Sequence, residues 1–65
     1  MIYKRHGGAY DRGSADRYYR RPFNPHYYEG GTMTSKLVEQ SEMTPEEIAE
    51  YTLGWNEETE RKDYR

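Results

Sequence analysis

The sequence predicts an all-α fold, with two short helices joined by a Pro/Gly-rich aromatic connector. Three observations predict it. Residues 43–61 combine several helix-start signals with an apolar stripe of helical period. Residues 10–19 repeat at four-residue spacing. Between these stretches lie two prolines, a Gly-Gly pair and a cluster of aromatics with no sustained period.

The second helix is the better specified, expected over residues 44–62. Thr44 is an N-cap residue, Pro45 follows at the first helical position, and Glu47 sits where a capping box requires it. Met43 and Ile48 flank the cap as a hydrophobic staple would. Glu46, Glu47 and Glu50 suit the positive end of the helix dipole, and Arg61 and Lys62 suit the negative end. Ile48, Tyr51, Thr52, Trp55 and Thr59 form one stripe.

The first helix is expected over residues 9–21. Tyr10, Ser14 and Tyr18 share a face with Gly13, and Ala15 and Tyr19 form an adjoining row. Gly13 costs a helix interior roughly 1 kcal/mol against alanine. Two readings account for it: close approach to the region of Gly54, or simple weakening of a frayed helix. Pro22 is expected to stop the helix. Residues 1–8, ending in Gly7-Gly8, read as a mobile arm, with Lys4, Arg5 and His6 on a solvated terminus. Residues 22–43 read as connector: a proline-punctuated segment whose aromatics fold back over the helices, then a flexible Gly30-Gly31 stretch. Leu37 and Val38 could supply a short extended piece there.

With 65 residues the chain forms at most one domain, and such a domain is marginal without staples or a partner. It has no cysteine, which excludes disulfides and thiolate metal sites and suits a reducing, cytoplasmic compartment. No apolar run is long enough for a signal peptide or a membrane span, so no membrane role is expected. The net charge of −2 conceals a polarity. Residues 1–31 carry six basic side chains against three acidic, giving +3, and residues 32–65 carry four against nine, giving −5.

An enzyme is not expected. Ser14, Ser35 and Ser41 have no histidine nearby in sequence, and His6 and His26 lack the convergent ligands that a metal needs. The carboxylates Glu46/Glu50 and Glu57/Glu58 read as a solvated acidic face. No cofactor and no small-molecule substrate are implied. The surface with functional character is RYYRRPFNPHYY, residues 17–28, in which arginines interleave with flat rings. Arginines pair with phosphates while bases stack on rings, which is how single-stranded or looped RNA is held. The same aromatics would equally serve as the core of so small a protein, and one set of tyrosines can do both.

Taken in order, these residues resemble the ribosome modulation factor family. Arg12-Gly13, Ala15 and Arg20 stand in the order of that family's first helix. Asn24-Pro25-His26-Tyr27 echoes its Pro-Tyr element, and residues 51–57, YTLGWNE, match its aromatic-x-x-Gly-Trp-x-Glu signature. The chain departs from the family in a longer connector, an alanine one position closer to its glycine, and an acidic second helix. The resemblance implies two helices and a non-enzymatic protein that regulates translation by binding ribosomal RNA. Short Tyr-rich chains of this style also resemble accessory proteins of bacterial viruses. The expected RNA contacts are Arg12, Arg17, Arg20, Arg21, Phe23, His26, Tyr27 and Tyr28. The alternative is a protein-binding module acting through the acidic amphipathic second helix, with Ile48, Tyr51 and Trp55 as its contacts.

Overall fold

A computed structural model of the chain describes residues 7–30 and 35–61. Helix α1 spans Ala9–Tyr18, strand β1 His26–Tyr28, strand β2 Leu37–Glu39, a 3₁₀ turn Gln40–Glu42, and helix α2 Pro45–Glu57.

Helix α2 starts as its sequence dictates. The Thr44 side chain accepts from the Glu47 N–H at 3.2 Å, and the Thr44 N–H donates to the Glu47 carboxylate at 2.9 Å. Met43 is buried and Ile48 packs against the same cluster, so both sides of the start are anchored. The helix ends at Glu57 rather than at residue 62. Its last turn holds no basic side chain, and Glu57 lies at the negative end of the dipole, which disfavours continuation. Arg61 instead turns back, donating to the Glu58 carbonyl at 3.1 Å and the Glu60 carbonyl at 2.9 Å. Lys62 lies outside the described residues.

Helix α1 ends three residues before the expected boundary. The Arg21 N–H donates to the Asp16 carbonyl at 2.8 Å, and the Arg20 N–H to the Arg17 carbonyl at 3.1 Å. This paired pattern is a Schellman turn, with Arg20 at the left-handed position (φ 60°). The helix is therefore closed by its own backbone before Pro22 is reached. At the other end, Gly7 and Gly8 are buried and do not belong to a mobile arm. The Gly7 carbonyl accepts from the Tyr28 N–H at 2.8 Å, and its N–H donates to Asp11 at 2.9 Å. Residues 1–6 lie outside the described residues.

The helices cross where two glycines meet. A Cβ on Gly13 would collide with the Tyr51 carbonyl, and one on Gly54 with the Tyr10 carbonyl. The contact is reciprocal and backbone to backbone, and α1 against α2 is the largest interface between elements.

The connector overturns the all-α expectation. β1 and β2 form a two-stranded antiparallel sheet, with His26 opposite Glu39, Tyr27 opposite Val38 and Tyr28 opposite Leu37. The fold is mixed α/β. Aromatic and β-branched side chains fit a half-buried pleated surface, and the sheet lets Val38 enter the core. That core is Ala9, Val38, Met43 and Tyr51, with Tyr27, Ile48 and Trp55 packed on it.

Candidate nucleic-acid interface

The Schellman turn sets the geometry of the basic-aromatic block. It swings the chain away from α1 and leaves Arg20 and Arg21 exposed beside Tyr19. Tyr19 is 40% exposed and Phe23 48% exposed. The Arg21 guanidinium lies 4.9 Å from the Tyr19 ring centroid, and that of Arg17 lies 5.4 Å from the ring of Trp55. The Phe23 ring stands nearly perpendicular to those of Tyr51 and Trp55, each at 5.3 Å between centroids, and stays half exposed. One corner of the molecule therefore carries Arg17, Tyr19, Arg20, Arg21 and Phe23 together.

The other expected contacts lie inward. Arg12 is buried, with its Nη2 3.7 Å from Asp16 Oδ1 and its guanidinium 5.9 Å from the Tyr28 ring centroid. His26 is half-buried on β1, and its Nδ1 donates to the Asn24 carbonyl at 2.7 Å. Tyr27 packs against the core, and Tyr28 is half-buried at the strand end. Of the expected protein-binding stripe, Tyr51 is wholly buried, while Ile48 and Trp55 pack against the core. Tyr51 and Trp55 meet α1 directly, through Asp16, Gly13 and Arg17.

Asp16 is a hub that sequence reasoning did not single out. The residue is 3% exposed. Arg21 donates to Oδ1 at 3.3 Å, the Tyr51 hydroxyl donates to Oδ2, and His26 Nδ1 stands 3.8 Å from Oδ2. The signal that could have found it is the i, i+4 pair Arg12–Asp16. Burial and the Asp16 bond push the Tyr51 hydroxyl pKa up, against the opposing Asn24 N–H, which donates to the hydroxyl at 3.2 Å.

The acidic end of α2 has a structural task as well. The Tyr10 hydroxyl donates to Glu57, and the Ser14 hydroxyl donates to Glu58 at 2.8 Å. Glu57 and Glu58 thus clasp α1 while Glu57 stays on the exposed face. The Glu60 N–H and the Ser14 hydroxyl hold the Glu58 carboxyl below its usual range.

Among the described residues no group of His, Cys, Asp and Glu could hold a metal ion, and no helix is long and apolar enough to cross a membrane. The chain matches no family model, no curated protein and no solved structure.

Proposed function

We propose that this protein is a non-enzymatic, RNA-associated modulator directed at the ribosome, and that it engages RNA through the corner at the end of α1. Arg17, Arg20 and Arg21 would pair with phosphates, and Tyr19 and Phe23 would stack on unpaired bases. The observation that carries this reading is Arg20. It occupies the left-handed position of a Schellman turn, where glycine is the favoured residue and any other L-residue pays about 1–2 kcal/mol. Residues held in disfavoured backbone regions concentrate at functional sites. Here the strained residue is a cation flanked by Tyr19 and Arg21 and presented to solvent. The motifs shared with the ribosome modulation factor family give the same direction.

The test is an Arg20→Gly variant, in which stability and function should move oppositely. Relief of the left-handed strain is expected to raise stability by about 1 kcal/mol, net of the greater chain entropy of glycine. Co-sedimentation with ribosomes at low salt should weaken. The salt dependence of RNA binding should become shallower by about 0.7 in slope on single strands, the value for one lost phosphate contact. Wild-type protein absent from every ribosomal fraction, or a variant that binds as the wild type does, would overturn the reading.

A further inference from the structure

We propose that the recess beside Asp16 is a phosphate-binding site, formed by the guanidinium groups of Arg12 and Arg21. The recess measures about 320 Å³ and opens between Arg12, Asp16, Arg21, Asn24, His26 and Tyr28. Its volume is at the lower end of the range for ligand pockets, about 300–1,000 Å³.

Arg12 carries the argument. An arginine presents five N–H donors in a fixed fork. This residue is only 8% exposed, so it has given up most of its hydration. What it receives is one ion pair at 3.7 Å, beyond hydrogen-bond length, and the face of Tyr28. Its Nε is buried and finds no hydrogen-bond partner. Buried donors in native proteins are normally satisfied, because an unmade bond forfeits the hydration given up on burial. The Nη ends of the Arg12 fork, which make no hydrogen bond among the described residues either, are the groups that a ligand acceptor entering the recess would meet, and such an acceptor would give the buried charge a close counterion.

Charge selects the kind of acceptor. Asp16 is the sole carboxylate lining the recess, against two arginines. Both its oxygens are already engaged, Oδ1 by Arg21 and Oδ2 by Tyr51. The balance is positive by one, which favours an anion. His26 adds no second acid, and its Nδ1 is held by the Asn24 carbonyl. Two guanidinium groups bordering one opening match the several oxygens of a phosphate, which arginine recognises through paired bonds. The volume exceeds that of phosphate alone, so an ester substituent fits with it. This proposal stands apart from the RNA reading: Arg12 and Asp16 are not in the exposed corner, and only Arg21 is shared.

The test follows the Arg12 Nε–H resonance of the full ¹⁵N-labelled chain during titration with inorganic phosphate, with chloride holding ionic strength constant. Parallel titrations use a short oligoribonucleotide with a 5′-phosphate and the same strand with a 5′-hydroxyl. A saturable shift of that resonance is expected. Arg21→Gln, an exposed residue whose replacement can be checked against an unchanged amide spectrum, should weaken phosphate affinity about tenfold to a hundredfold. Lys36→Gln, away from the recess, should leave it unaltered. Preference for the 5′-phosphorylated strand identifies a terminal monoester as the ligand, and equal binding of both strands identifies the backbone diester. No saturable Arg12 shift with any of the three probes, or undiminished affinity in Arg21→Gln, overturns the proposal. An intact response to inorganic phosphate in a protein that never sediments with ribosomes would keep this site while removing the RNA reading.

Discussion

Asp16 sits at 3% exposure, and its surroundings are what make that burial tolerable. A lone carboxylate in such a place would be costly, and it is compensated here from three separate parts of the chain, by two hydrogen-bond donors and one longer ion pair. Arg12 comes from the preceding turn of α1, Arg21 from beyond the Schellman turn, and Tyr51 from the middle of α2. Tyr51 also accepts from the Asn24 N–H, so one hydroxyl ties α1, the connector and α2 together. Two substitutions should separate these contributions. Tyr51→Phe keeps the ring and its packing but removes a bond to a charged group, at an expected cost of about 1.5–3 kcal/mol. Asp16→Ala leaves the buried Arg12 guanidinium without its counter-charge, and removing one partner of a buried pair costs about 3–5 kcal/mol. Urea unfolding of both variants checks the order. A Tyr51→Phe protein destabilised more than Asp16→Ala would show that the hydroxyl, not the charge pair, organises the hub.

Between elements, the Gly13–Gly54 crossing decides how closely the two helices approach. Alanine is the better helix former by roughly 1 kcal/mol, so propensity alone predicts that Gly13→Ala and Gly54→Ala stabilise the protein. The crossing predicts the opposite sign. Each new Cβ would meet a backbone carbonyl of the other helix, which cannot rotate aside as a side chain can. Such overpacking costs about 1–3 kcal/mol, and the helices must separate to relieve it. Thermal midpoints of the two variants below that of the wild type are the expected outcome, and a rise in either would mean that the helices do not pack through this contact. Close approach to the Gly54 region was one of two readings the sequence left open for Gly13, and the backbone contact decides between them. The capping box at Thr44 was legible because its signals are local. Other features depend on partners that spacing does not disclose. The Schellman turn hides behind an arginine where glycine would have announced it. Strands β1 and β2 have three residues each, carry no two-residue turn signal, and pair across residues 29–36. The arginines on residues 17–28 were legible as a group. Their division into exposed Arg20 and Arg21 and half-buried Arg17 was set by tertiary contacts.

For the molecule as a whole, the small core makes polar clasps between helices matter more than they would in a larger domain. Three of those clasps titrate, and their directions predict a stability profile bounded on both sides. On the acid side, Glu58 is held below its usual range by the Glu60 N–H and the Ser14 hydroxyl. Its contribution is present above the unfolded carboxyl value of about 4.3 and is lost as pH falls through the folded value. On the alkaline side, Tyr10 and Tyr51 are both raised, Tyr10 first through its bond to Glu57 and Tyr51 first through burial. A raised tyrosine stabilises the fold fully below its unfolded pKa of about 10, and that support disappears as pH climbs toward the folded value. Through these groups stability should therefore decline below about pH 4.3 and decline again above about pH 10. Thermal midpoints measured across that range test the shape, and two variants assign its flanks. Glu58→Gln should flatten part of the acid decline and leave the alkaline one intact. Tyr51→Phe should lower the plateau while making the alkaline decline shallower, because the group that must ionise there is gone. An alkaline limb of unchanged steepness in Tyr51→Phe would mean that Tyr51 ionises as easily in the folded chain as in the unfolded one, and that the hydroxyl shared by Asp16 and Asn24 does not tie the two helices together.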